Sequence, residues 1–390
     1  MTANPSIQPG RHNGLDTLRA LAITLVFMYH YAAFVSGEYT FGLGSELGWM
    51  GVDLFFVLSG YLIANQLLAG LVARRKLSLK AFYVRRALRT LPVFWVVLAL
   101  YFAFPSIMGG NTPPALWRFV SFTQNWQLQP GTAFSHAWSL CIEEQFYLVL
   151  PLILLAGARY GTSRTQAWLV LAGLIISGIV SRTLLWQAYS QGSANHTDYF
   201  YYANIYYATL CRADEFLPGV AVALIKHLHP AFWQKLIQRG QRNLFAGVVA
   251  ITLVMWGMHQ SYYVANHGYG FWMTTFGYSL GAMAFGLLVI AALSPSSWLA
   301  RVRIPGAYTL AIWSYSFYLI HKPVAHIVQQ LLKPMGVPGS LLLVVLTLAC
   351  LLATWLLHHW IEQPAMRWRD RHLPGNFEKP VIPTLAVQQT

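Results

Sequence analysis

Apolar residues run along this chain in blocks of about twenty, which is what a helix needs to cross a hydrocarbon core, and shorter polar stretches separate them. The pattern predicts ten transmembrane helices, at 14–36, 49–71, 90–107, 136–157, 167–188, 206–226, 244–258, 271–293, 308–331 and 340–361. The seventh is short and is expected to continue toward His259. The fold class expected is therefore an all-α, polytopic integral membrane protein. It forms a single domain over 1–371, followed by a flexible cytoplasmic tail at 372–390. The block 15–33 follows Arg11 like a signal peptide, but it is too long for one and lacks a small-residue cleavage site.

Composition agrees: 56% of residues are hydrophobic and only 10% charged, which excludes an ordinary water-soluble domain. The net charge of +14 would by itself suit a polyanion such as nucleic acid. Its placement says otherwise. Arg74, Arg75, Lys76, Lys80, Arg85, Arg86 and Arg89 lie between the second and third spans. Arg159 and Arg164 follow the fourth span, Lys226 to Arg242 the sixth, Arg301 and Arg303 the eighth, and Arg367 to Arg371 the tenth. The alternate loops hold only Arg118 and Lys333. By the positive-inside rule both termini are cytoplasmic and the number of spans is even. Membrane lipid is the expected partner of this charge, and no nucleic acid is expected. The segment 72–89 alone is more basic than orientation requires. Cys141, Cys211 and Cys350 fall inside spans without metal-ligand spacing, and no His-Glu-x-x-His pattern occurs, so neither disulfides nor a metal site are expected.

Candidate chemistry begins in the first span. Arg19 and His30 are eleven residues apart, hence about 20° apart around a helix and about 16 Å along it. A charged and a titratable group on one buried stripe are costly unless the stripe faces a polar cavity. With orientation fixed, His30, Asp53, Glu143, Glu144, Arg212, Asp214, Glu215 and His321 fall in one band roughly 5–15 Å below the outer surface. Some of these ions serve packing: Arg212 points about 200° away from Asp214 and needs a partner on another span. His321 alone reads as a packing histidine. His30 is the candidate general base, or a transient acyl carrier, with Asp53 and Glu143 to orient its ring and balance its charge. That is the triad logic without a serine. On the cytoplasmic side Arg86 and Arg89 lie one helical turn apart with Arg85 adjoining, and arginine forks suit phosphate oxygens. A plain anchor on anionic lipid is the alternative. Arg19 between these groups and His30 outlines a path across the membrane. A donor with a phosphorylated head and a long thin acyl-bearing arm, such as acyl-coenzyme A, fits that path.

At these residues the chain resembles the acyltransferase-3 family of multi-pass membrane O-acyltransferases. The resemblance rests on Gly14-Leu-Asp-Thr-Leu-Arg19 followed by His30, and on Gly51-Val-Asp53-Leu-Phe-Phe-Val-Leu-Ser59-Gly60. It continues in Phe82-Tyr-Val-Arg85-Arg86-Ala-Leu-Arg89, His136-Ala-Trp138-Ser139-Leu-Cys-Ile-Glu143-Glu144-Gln-Phe-Tyr147, Ser314-Tyr-Ser-Phe-Tyr-Leu-Ile-His321-Lys-Pro323 and Glu362-Gln-Pro364. Cys141 stands where many members have Ser or Thr. The resemblance implies a ten-span core, an inner-membrane location and a cytoplasmic acyl-coenzyme A donor. It also implies catalysis around His30 with Arg19, and donor roles for Arg85, Arg86 and Arg89. Some relatives carry an extracytoplasmic hydrolase-like domain. This chain ends soon after Glu362, so no appended domain is expected, and transfer would be direct or through a separate protein.

The function expected is transfer of an acyl group, most simply acetyl, from acyl-coenzyme A to a hydroxyl of a glycan or lipid-linked glycan. A proton-coupled transporter of such intermediates is the alternative. It would use His30 and the carboxylates as a relay and would have no need of the donor.

Overall fold

A lipid core offers no water to an unpaired peptide group, so each apolar block satisfies its backbone internally as a helix. The computed structural model describes residues 12–191 and 197–378. Ten principal helices carry the fold: α1 (Asn13–Tyr31), α2 (Met50–Val72), α3 (Leu79–Ala103), α4 (Trp138–Arg159), α5 (Arg164–Gln191), α6 (Leu217–Leu228), α7 (Gly240–Ser261), α8 (Tyr278–Leu293), α9 (Ala307–Leu332) and α10 (Gly339–Leu357). The strands described are two-residue pieces, Tyr263–Val264 paired antiparallel with Gly268–Tyr269. The chain is an all-α polytopic membrane protein.

Eight helical segments among the described residues are long and apolar enough to cross a membrane. The other two of the expected ten are α9 and the region of α6. At 26 residues α9 is long enough, but Ser314, Ser316, His321, Lys322 and Gln329 interrupt its apolar run. The sixth span is broken into a turn at Thr209–Arg212, a tight 3₁₀ turn at Ala213–Phe216 and the 12-residue α6. Pro218 in the first turn of α6 has no amide hydrogen to continue the earlier ladder.

α2 and α8 lie inside the bundle, and α5, α7 and α10 stand at its edge. The outward residues of the edge helices, such as Leu174, Ile176 and Leu184 on α5 and Val344, Leu348 and Leu352 on α10, form an exposed apolar belt suited to lipid. α2 and α6 cross closely. A Cβ at Gly60 would lie 2.1 Å from the Phe216 carbonyl oxygen, and one at Gly219 would lie 2.0 Å from that of Val57. Only glycine permits that approach at both points.

Two boundaries differ from expectation. α3 begins at Leu79 rather than near residue 90, because the Ser78 side chain accepts the Ala81 amide at 3.3 Å and caps the helix. The arginine block therefore lies on a helix, and the connecting loop is short. Residues 373–378 of the expected tail run back along that loop: the Ser78 amide donates to the Asn376 carbonyl at 2.9 Å and the Glu378 amide to the Lys76 carbonyl at 3.0 Å. Residues 379–390 lie outside the described residues.

Candidate active site

Five helices, α1, α2, α3, α4 and α9, enclose a cavity of about 330 Å³, within the range of small-molecule sites. Arg19, Arg86 and Arg89 supply its cations, and Glu143 is the one carboxylate in its wall. Ser59, Gln66, Thr90, Tyr147 and Tyr315 add neutral polar groups, and Ser139 with Tyr318 stand toward the histidines described below.

Each cation is held differently. The Arg86 guanidinium lies over the Tyr147 ring at 3.6 Å and 3.5 Å from Glu143 Oε1. Arg89 donates to Met366 Sδ at 2.9 Å and stands 3.7 Å from Glu362 Oε1. Arg19 lies within 4 Å of no carboxylate among the described residues. Glu143 Oε1 accepts from Ser59 Oγ at 2.6 Å and from the Tyr147 hydroxyl. One lining carboxylate against three guanidiniums leaves the cavity positive, so it is suited to an anion.

Two expected members are elsewhere. Arg85 lies outside the cavity: it donates to Asp370 at 2.7 Å and to the Leu373 carbonyl at 3.3 Å, tying α3 to the C-terminal segment. Adjacent helical residues point about 100° apart, so Arg85 and Arg86 do not share a face. Asp53 does not reach His30. It is fully buried 2.5 Å from Arg212, which also bonds Glu215 and lies over the Tyr278 ring at 4.2 Å. A second buried tie joins Arg182 on α5 to Asp214 at 2.7 and 2.9 Å, with Ser279 Oγ on the same carboxylate at 2.6 Å. The band of buried ions is thus largely resolved into two cross-bundle ties. Removing one partner from such a tie costs about 3–5 kcal/mol because the other charge stays buried. Glu143 likewise faces the arginines rather than His30.

His30 meets other histidines instead. Its Nδ1 lies 2.7 Å from His321 Nε2, and the two rings stack with centroids 4.9 Å apart. His321 Nδ1 lies 3.0 Å from the Phe317 carbonyl oxygen, which can only accept. In neutral His321 the hydrogen is therefore on Nδ1, its Nε2 accepts, and His30 must donate from Nδ1. The lone pair of His30 is left on Nε2. His136 completes the cluster, its ring centroid 5.7 Å from that of His321. It donates from Nε2 to the Leu319 carbonyl at 3.1 Å, which leaves Nδ1 as a buried acceptor without a partner among the described residues. Tyr318 separates this cluster from the cavity, bonding Ser139 Oγ at 2.7 Å and donating to the His136 carbonyl at 2.7 Å. Among the described residues no group of three His, Cys, Asp or Glu is arranged to hold a metal.

Sequence reasoning missed the partnership of His321 with His30, the position of His136, and the role of Arg182. One signal was available for His321, because the depth estimate put it in the same outer band as His30.

Fold and site define a polytopic membrane protein with an arginine-lined cavity beside a cluster of three histidines. The family model described as an acyltransferase domain matches residues 12–359, and the chain belongs to that acyltransferase-3 family. The peptidoglycan O-acetyltransferase OatA of Listeria monocytogenes is 28% identical over 342 residues, covering 82% of this chain and 50% of that protein. A Staphylococcus aureus protein provisionally named an O-acetyltransferase is 26% identical over 400 residues, covering 96% of this chain and 61% of its own length. A Bacillus subtilis protein, YrhL, provisionally named a peptidoglycan O-acetyltransferase, is 27% identical over 371 residues, 90% of this chain and 54% of that one. The chain thus spans about half to three-fifths of these curated relatives. No solved structure matches it.

Proposed function

We propose that this protein is an inner-membrane O-acyltransferase that takes an acyl group, most simply acetyl, from cytoplasmic acyl-coenzyme A and passes it to a hydroxyl of a glycan. The observation that carries this reading is the alignment of an arginine-lined cavity with a histidine whose Nε2 is free to act as base. Arg19, Arg86 and Arg89 suit the phosphates of the donor. The thin arm of the donor then reaches past Tyr318 and Ser139 to His30. There Nε2 takes the proton of the acceptor hydroxyl and later gives it to the departing thiolate. The peptidoglycan named for two relatives supports a cell-wall glycan or its lipid-linked precursor as acceptor. Direct transfer and relay through a separate protein both use this site.

The test is release of free coenzyme A thiol by the purified protein in lipid, supplied with acetyl-coenzyme A and an N-acetylglucosamine pentamer. His30→Ala and His30→Gln are expected to lower thiol release and product by at least about 10²-fold, the usual contribution of a positioned base. Expression and coenzyme A binding should stay as in the wild type. Substantial turnover in either variant moves the base away from His30, and a wild type that binds coenzyme A without making an acylated product removes the enzyme reading.

A further inference from the structure

Among the described residues four arginines inside this bundle face acids, whereas Arg19 in the larger cavity and Lys226 beside the Tyr61 hydroxyl do not. Arg182 and Arg212 meet Asp214 and Asp53, and Arg86 and Arg89 lie beside Glu143 and Glu362. Lys322 on α9 faces no acid either. Its ammonium donates to Ser135 Oγ at 3.2 Å and lies over the Phe34 ring at 4.0 Å, and no carboxylate among the described residues balances it. An ammonium carries three N–H donors, and a hydroxyl uses one. A cation held without a counter-ion at membrane depth is costly, and such residues mark functional sites.

Its position gives the cation a use. Lys322 lines a small cavity together with His30, His321, Phe34, Phe27 and Tyr31. The space there is about 10 Å³, which is about one water or one oxygen atom. Lys322 and His30 thus both line a space too small for a carboxylate or a phosphate. Ser135, in the turn just before α4, holds the Lys322 ammonium.

We infer that Lys322 is a catalytic residue that stabilises the oxyanion formed during acyl transfer. This rests on the acyltransferase reading and assigns one more group to the same site. The acceptor hydroxyl oxygen bonds to the thioester carbonyl carbon while His30 Nε2 takes its proton. The carbonyl π pair moves onto oxygen, and that negative charge lies against the Lys322 ammonium. Collapse re-forms the C=O bond and breaks the C–S bond, and the thiolate takes the proton back from His30. The ammonium is in place before the charge appears, which is the arrangement in which a single donor contributes most.

The experiment compares the wild type, Lys322→Met, Lys322→Gln and Lys322→Arg in lipid, with acetyl-coenzyme A and the N-acetylglucosamine pentamer, and with His30→Ala as a reference. Lys322→Met and Lys322→Gln should lower kcat by roughly 10²- to 10³-fold, the usual loss of one oxyanion donor. KM for the pentamer and coenzyme A binding should stay within about threefold, and Lys322→Arg should keep a larger share of kcat than either neutral variant. Lys322→Cys treated with 2-bromoethylamine, which rebuilds a side chain with an ammonium at its end, should regain activity. Cys141, Cys211 and Cys350 are buried and provide the untreated control background. Wild-type kcat in both neutral variants overturns the assignment, as does a raised pentamer KM at unchanged kcat, which would make Lys322 an acceptor-binding group. A wild type no more active than His30→Ala overturns the acyltransferase reading itself, a distinguishable result. If Lys322→Met does not accumulate, the comparison of Gln with Arg decides the question.

Discussion

A neutral imidazole has one donor and one acceptor nitrogen, so a single carbonyl can settle the tautomers of two rings. Here the Phe317 carbonyl settles His321, and His321 settles His30, at 3.0 and 2.7 Å. The role expected of Asp53 or Glu143 falls to a neutral residue, so no carboxylate is needed to fix the tautomer of His30. His321→Leu removes the acceptor and should lower kcat by about 10- to 100-fold, the usual cost of losing the partner that orients a functional histidine. His321→Gln can place an amide oxygen near the lost Nε2 and should recover part of that loss, with KM for donor and acceptor little changed. A uniform fall in protein level at constant kcat in both variants would instead make His321 a packing residue. Asp53 and Arg212 belong to another class: both are fully buried and joined, and they tie α2 to the broken sixth span.

At the scale of the element, α3 carries the donor question because one helix presents two faces. Arg86 and Arg89 line the cavity, while Arg85 turns to Asp370 and the C-terminal segment. Arg86→Ala and Arg89→Ala should each weaken coenzyme A binding by about 10- to 150-fold, equivalent to one charge-assisted contact of roughly 1.5–3 kcal/mol. A lysine at either position should rescue only partly, because it lacks the fork. Arg85→Ala and Arg74→Ala remove equal charge outside the cavity and should act weakly. Equal small effects at all four, measured by calorimetric titration with coenzyme A, would make the block a lipid anchor. Its spacing was legible as helical because Arg86 and Arg89 are one turn apart. The helix start was not, since hydropathy falls where the arginines begin although the Ser78 cap and the following good helix formers continue the helix.

Across the whole molecule the basic ends gather on one side. The start of α2 packs on Ala22 and Leu25 in the second half of α1, so these helices run antiparallel. The loop after α2 meets residues 376–378, and the α6 C-terminus meets the second half of α2 through His227 and Asn65, 3.0 Å apart. The positive-inside rule predicts that this side is cytoplasmic. Single cysteines at Arg74 and Arg301 should react with a membrane-impermeant maleimide only after the cells are opened. Cysteines at Trp126 and Tyr263, both exposed near the other end, should react in intact cells. The reverse pattern would invert the donor and acceptor sides.

Hydrophobic period and the spacing of charge are properties of one dimension, and they were sufficient for the helical membrane class, the order of the spans, and the choice of His30, Arg19 and the α3 arginines as candidates. Depth could also be read, because rise per residue is constant along a helix. What depth does not contain is the rotation of each helix and the identity of its neighbours. Those decide whether Asp53 meets His30 or Arg212, whether Glu143 faces a histidine or a guanidinium, and whether Arg85 points into a cavity or toward the C-terminus. Arg182 and His136 acquired their meaning only from contacts 32 and 183 residues away in the chain, with Asp214 and Leu319. The outer band of polar groups was therefore visible in the sequence, while its division into structural ties and a histidine site was decided by packing. A buried charge is stabilised by whatever partner the fold brings within a few ångströms, and sequence distance does not set that partner.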